Sequence, residues 1–284
     1  PADRGPRAVI DRLRAAYGHR RWWPAASAFE LILGAVLTQN VAWRNVERAI
    51  DSLRQIAPLT PAGLRRLDPQ TLGESIRPSG YWRVKERRLR AVLDHLASRA
   101  DLEADQGEAA LADLLSLPTE RLRATLLAIH GIGRETADCV LVYAAGYPIF
   151  VVDTYTRRLA HRLGWFPDER TDYETLRRFV EADLSASTGA RPAETATQTA
   201  AETADAWGDA HAQIVHHGNA VCTKRRPRCG VCPLQAICPQ IGVEPRVEPE
   251  DRSSDDPTKA AAGAYAFSTR TRFVPGGPLI EPRR

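Results

Sequence analysis

Four of the chain's five cysteines fall between residues 222 and 238, spaced Cys222-x6-Cys229-x2-Cys232-x5-Cys238. Thiolates this close can all face one centre if the chain wraps it in a compact loop. In an intracellular protein such crowding favours a metal site over disulfides. Four thiolates suit an iron–sulfur cluster or a structural zinc ion, and by chemistry alone both stay open. The stretch TKRRPR between the first two cysteines puts Lys224, Arg225 and Arg226 on the same loop. Cations held on a rigid loop suit contact with phosphates. The fifth cysteine, Cys139, lies among apolar helical neighbours and reads as core.

A second constellation is LLAIHGIGRETADCVLVYAAG, which reads as helix, Gly-x-Gly turn, helix. Gly131 and Gly133 allow backbone angles that side chains forbid, and they let a phosphate approach the backbone. Amides at the start of the next helix, at Arg134 and beyond, would point at that anion. Taken alone, such a turn between helices is ordinary. Farther on, Asp153 directly precedes a helix-like run and reads as its N-cap. His130, His211, His216 and His217 invite metal speculation, but structural hydrogen bonding is the better reading.

The elements that must position these residues are helical. FELILGAVLTQ sets Phe29, Leu33, Val36 and Leu37 on one stripe at helix spacing, and VERAIDSLRQI, KERRLRAVLDHLA, TERLRATLLAI, YTRRLAHRLG and YETLRRFVEADL repeat the pattern. Val151 and Val152 form the best extended run, too short for a sheet, so the expected class is all-α. Net charge is +4 over 284 residues, which permits nucleic-acid binding without requiring it. Basic clusters within residues 83–90, 157–162 and 224–228 say more on that point, although each taken singly reads equally well as a solvated face. No apolar stretch approaches the length of a membrane span, and the start lacks a signal-peptide core. A soluble cytoplasmic location is therefore expected. Ser185–Asp205, rich in Ala, Thr and Glu, reads as an inserted loop or weak helix. The tail 241–284 is expected to be disordered or loosely packed.

Together these motifs resemble the endonuclease III superfamily of helix–hairpin–helix DNA glycosylases, over about residues 8–240. The x6-x2-x5 cysteine spacing is similar, without insertion or deletion, to that family's [4Fe–4S] loop, and the resemblance selects the iron–sulfur cluster over zinc. It implies an all-α, two-lobed fold: a six-helix barrel at 28–147 ending in the hairpin, and a cluster domain from 1–27 and 148–240. It also implies double-stranded DNA with a damaged base as the partner, and a chain that acts as a monomer. Asp153 matches the family's catalytic aspartate. There it would stabilise positive charge on the deoxyribose and orient the attacking water. Bifunctional members carry a lysine after the Gly-x-Gly-Arg turn, which forms a Schiff base with the sugar. Here that residue is Glu135. The implied activity is a monofunctional glycosylase without efficient strand cleavage.

Within the superfamily, WWP, GAVLTQN, IRPSG and GIGRETAD resemble the endonuclease III-like 3-methyladenine glycosylases of bacteria. Several members of that branch lack the cluster cysteines that this chain keeps. The resemblance assigns Trp22, Trp23 and Trp43 to stacking on the flipped base, and electron-rich indoles attract a cationic alkylated purine. An ordinary core role for these tryptophans is the alternative. Gln39 matches the glutamine that fills the gap in the duplex, and Tyr81 the second wedge, or else an aromatic packed on the core. Glu135 is expected to face the base pocket, where it either pairs with a cationic base or fills space. Two other activities stay open: an endonuclease III-type glycosylase for oxidised pyrimidines or mismatched bases, and a DNA binder with weak catalysis.

Overall fold

The extended run 148–152 is where the two halves of the chain meet, and it forms no strand. Phe150, Val151 and Val152 are fully buried, so their backbone amides need partners other than water. Side chains supply them: the Phe150 amide donates to Glu181 at 2.9 Å and the Val152 amide to the Tyr173 hydroxyl at 3.3 Å. The structure is a computed structural model that describes residues 2–20, 23–99, 107–186 and 200–244. Among them there is helix and no strand, so the class is all-α. Residues 2–20, 150–186 and 206–244 form one compact unit; 23–99, 107–149 and 200–205 form the other. Among the described residues no helix is long and apolar enough to cross a membrane.

The first unit is built on α1 (Pro6–Tyr17), α10 (Thr154–Arg162), α11 (Tyr173–Ala186) and the later turns of α12 (Ala200–Ala220). Pro6 sits in the first turn of α1, where its missing N–H costs nothing. Val9, Ile10 and Leu13 pack in one core with Leu159, Leu176, Val180, Ile214, and with Leu234 and Ile237 from the cysteine loop. The expected loop at Ser185–Asp205 is helical at both ends, since α11 runs to Ala186 and α12 begins at Ala200. Residues 187–199 and 245–284, including most of the expected tail, lie outside the described residues.

The second unit runs from α2 (Ala28–Leu37), α3 (Trp43–Ile56), α4 (Pro61–Arg65) and α5 (Pro69–Ser75) to α6 (Trp82–Ala97) and α7 (Gly107–Leu115). It ends with α8 (Thr119–Ala128) and α9 (Arg134–Cys139), which continues as a π-helical turn, Val140–Ala144. Ser27, Thr60 and Asp68 cap their helices through side-chain oxygens. The apolar stripe predicted on α2 is too narrow: Phe29 through Leu37 are all buried. This helix is central, with α3, α6, α9 and the π-helical turn around it, so it has no solvent face. Its one charge, Glu30, is buried and paired with Arg54.

Lys85 on α6 also departs from the sequence reading. It is 1% exposed, where a solvated basic face was expected. Its ammonium donates to the Leu37 carbonyl at 2.8 Å and the Ser79 carbonyl at 2.6 Å. It therefore closes the C-terminal end of α2, where a cation is favoured. Burial, with Arg88 nearby, pushes its pKa down to about 8. Replacing Lys85 by Met removes the amine and strands two buried carbonyls. The expected cost is about 2–4 kcal/mol, read as a lower urea midpoint at unchanged slope. An unchanged midpoint would show that water takes over both carbonyls.

Candidate active site and four-cysteine loop

Between α8 and α9 the chain makes the Gly-x-Gly turn. Gly131 has φ +86°, and a Cβ added there would fall 2.2 Å from Arg88 Cγ. Glycine is required at that position twice over. Gly133 differs from expectation: its φ is −89°, open to any residue. The fold itself does not demand glycine there either, since an added Cβ would meet nothing within 4 Å. Ile132 is buried and anchors the turn, while Gly133, Arg134 and Glu135 are exposed. Gln39 is built into the same turn. Its amide donates to the Gly131 carbonyl at 3.2 Å and to the Thr136 hydroxyl at 2.9 Å, and its oxygen accepts from Arg88.

Trp23 and Trp43 meet edge to face, with centroids 5.2 Å apart at 89°. Tyr143, which the sequence reading missed, lies 5.5 Å from Trp23. Its only sequence signal was an aromatic within an apolar helical run. All three are buried. Both indoles rest on Gly34 of α2, where an added Cβ would lie 3.2 Å from Trp23 and 3.3 Å from Trp43. Trp22 lies outside the described residues. Tyr81 is 76% exposed, so it does not pack on the core. It holds φ +47°, ψ +32° at the head of α6. A bulky residue in the left-handed region is strained.

Asp153 caps α10. Its Oδ1 accepts from the Thr156 amide at 2.7 Å and the Thr156 hydroxyl at 2.8 Å. The carboxyl is buried, and His211 Nε2 lies 3.7 Å from Oδ2. Burial works to raise its pKa, but the pull of His211 across that gap, together with the hydrogen bonds from Thr156, outweighs burial and holds it below the ordinary value. The group is therefore ionised at neutral pH. The stability from its ionised contacts is present above the ordinary value of 3.8 and is lost as the pH falls below it.

Cys222, Cys229, Cys232 and Cys238 line one cavity together with Leu159, Arg162, His217 and Leu234. Burial, with the neighbouring thiols, pushes Cys232 up to about 11 and raises Cys238 as well. Four cysteine sulfurs around one cavity are the donor set of an iron–sulfur cluster, so the residues present fit that group. Two arginines of α10, expected on a solvated face, are instead buried behind the loop. Arg162 donates to Cys222 Sγ at 3.1 Å and to the Thr223 and Lys224 carbonyls at 2.9 and 3.0 Å. Arg158 donates to the Cys222 and Gly218 carbonyls at 2.8 and 2.9 Å. His217 lies 3.7 Å from Cys232 Sγ, with its other ring nitrogen 2.9 Å from the Tyr17 hydroxyl. Lys224, Arg225 and Arg226 stand exposed on the outside of the loop, which the Thr223 hydroxyl pins by donating to the Arg226 carbonyl at 2.6 Å.

Comparison with known proteins agrees with both motifs. The family described as HhH-GPD superfamily base excision DNA repair protein matches residues 33–182. The iron–sulfur binding domain of endonuclease III matches residues 222–238. MJ1434 of Methanocaldococcus jannaschii, whose name assigns it to the DNA repair glycosylases, is 34% identical over 222 residues, covering 78% of this chain and 90% of that protein. Endonuclease III of Thermotoga maritima is 28% identical over 215 residues, covering 74% of this chain and 82% of that one. The structure of an H. pylori 3-methyladenine DNA glycosylase bound to 1,N6-ethenoadenine superposes with a TM-score of 0.61 at 26% identity, over 76% of this chain and 97% of that one.

The guanidinium behind the loop yields a test. Arg162→Met keeps the bulk and removes the donor to Cys222. Cluster affinity is expected to fall by roughly ten- to a hundredfold, the usual effect of losing an outer partner of a metal ligand. Iron and acid-labile sulfide per chain after exposure to a chelator report it. Wild-type content in the variant would mean that the thiols hold the cluster unaided.

Proposed function

The chain belongs to the HhH-GPD superfamily of base excision DNA repair proteins, and we propose that it hydrolyses the N-glycosidic bond of an alkylated purine in duplex DNA. It is a DNA glycosylase of the endonuclease III family and carries a [4Fe–4S] cluster. Cys222, Cys229, Cys232 and Cys238 are the thiols that would hold the cluster, which acts here as a structural staple. The observation that carries the proposal is Asp153, a buried carboxylate kept ionised by its partners, in a chain whose hairpin helix opens with Glu135 and not lysine.

In the reaction the target nucleotide leaves the stack. The bond from C1′ to the base nitrogen breaks and its electron pair leaves with the base. A purine alkylated on a ring nitrogen is already cationic, so it departs neutral and needs no general acid. Positive charge grows on the sugar, and the Asp153 carboxylate stabilises it. Water then forms the new bond to C1′ and gives up a proton, leaving an abasic site. Glu135 cannot form a Schiff base, so strand cleavage does not follow. Trp23 and Trp43, with Trp22, favour a cationic base through their ring faces; the H. pylori relative, a 3-methyladenine glycosylase by name, supports this choice. Gln39 and Tyr81 enter the duplex where the base has left, and the hairpin, with Gly131, Gly133 and Arg134, grips the phosphates. Lys224, Arg225 and Arg226 add backbone contacts, and the chain works as a monomer. A second reading, action on oxidised or mismatched bases, draws support from the relatives named endonuclease III.

Duplexes with alkylated adenine, thymine glycol or mismatched adenine separate these readings. Breaks are expected only on alkylated DNA and only after hot alkali. Asp153→Asn should slow release by at least about a hundredfold. Breaks without alkali, trapped as a covalent adduct by borohydride, would overturn the monofunctional assignment. Cleavage confined to thymine glycol would favour the second reading.

A further inference from the structure

The two oxygens of Asp153 are held by different parts of the fold. Oδ1 belongs to the cap: Thr156 reaches it twice, at 2.7 and 2.8 Å, from within α10. Oδ2 is outside the cap and is therefore the oxygen left to act on a substrate. The group set against it is the Nε2 of His211, 3.7 Å away on α12, with both side chains almost wholly buried. The imidazole is itself fixed, edge-on to Phe150 at 6.5 Å and 90°, and Phe150 is completely buried.

We propose that His211 is the positioning residue for Asp153, setting the direction in which Oδ2 points. The proposal rests on Asp153 being the acting carboxylate. The other ionisable groups on the surrounding elements are committed elsewhere. Asp209, earlier on α12, takes Arg14 at 2.8 Å and the Arg20 amide at 2.6 Å, with His19 at 3.8 Å. Arg158 of α10 serves the Cys222 and Gly218 carbonyls. The Tyr173 hydroxyl of α11 accepts from Val152. Asp153 is thus the charge that faces Nε2. A carboxylate in so apolar a setting would be driven toward its neutral form. His211 opposes that drive by its electrostatic pull on Oδ2. The 3.7 Å gap is longer than a hydrogen bond, so a slight approach of the ring would tighten it.

The test uses the full chain with its cluster, labelled with 13C at the aspartate carboxyls. The Asp153 signal is identified by its loss in Asp153→Asn and titrated in free protein. His211→Ala is expected to raise the Asp153 midpoint by about 1 pH unit or more. The acid limb of single-turnover release from alkylated DNA should move the same way. His211→Gln keeps an N–H donor and should return most of the shift. If His211→Ala does not fold, His211→Leu fills the same space without a donor and should give the same rise. An unmoved Asp153 midpoint, with release lowered equally at every pH, would overturn the proposal and leave His211 as packing. The carboxyl titration needs no substrate. Failure of the wild type to release any base would therefore count against the proposed function and not against this inference.

Discussion

Helix α10 is fixed at both ends by charged groups that have little water to fall back on. At its start, the Asp153 carboxylate accepts from Thr156 and lies against His211. Along its length, Arg158 and Arg162 send their guanidinium hydrogens to carbonyls and to the sulfur of the cysteine loop. A buried charge without such partners is costly. The carboxylate, the helix and the loop therefore stand or fall together. When bound among the four thiols, the cluster would hold the loop whose carbonyls and sulfur receive both arginines.

The other unit uses the same device at its centre. α2 is buried on all sides, and its carbonyl end is closed by Lys85. Glu30 inside it is answered by Arg54. From the end of this helix the chain continues to Gln39, whose amide is tied to the Gly131 carbonyl of the hairpin. The residue assigned to fill the duplex and the turn assigned to grip it are joined by hydrogen bonds.

What the sequence made legible is local. The cysteine spacing, the Gly-x-Gly turn and the Asp153 cap each lie within a short stretch; the cap forms as read, and the turn does so at Gly131. The choice of iron over zinc came from resemblance, since four thiolates serve either. What stayed hidden depends on partners distant in the chain. Lys85, Arg158 and Arg162 read as solvated because a sequence displays charges but not the carbonyls that receive them. His211 was set aside as structural, although its ring lies beside Asp153. The α2 stripe was underestimated because periodicity marks an inward face without saying whether the opposite face is also covered. Gly133 was credited with an unusual backbone angle, but its φ of −89° is open to any residue. The sequence reading left Tyr81 between wedge and core; its exposure removes the core alternative.

The order of these parts along the chain has a consequence for synthesis. Arg158 and Arg162 emerge from the ribosome before the carbonyls and sulfur that receive them, which lie at and beyond Gly218. Until residues 218–224 have followed, both guanidiniums lack their buried partners, and until Cys238 the four-thiol set is incomplete. The nascent protein can acquire its hairpin early, but Asp153 gains His211 beside it, and α10 its loop partners, only once residues 211–224 have been made. A fragment that stopped before residue 218 would carry the whole hairpin, but its α10 would lack every loop partner of its two buried arginines.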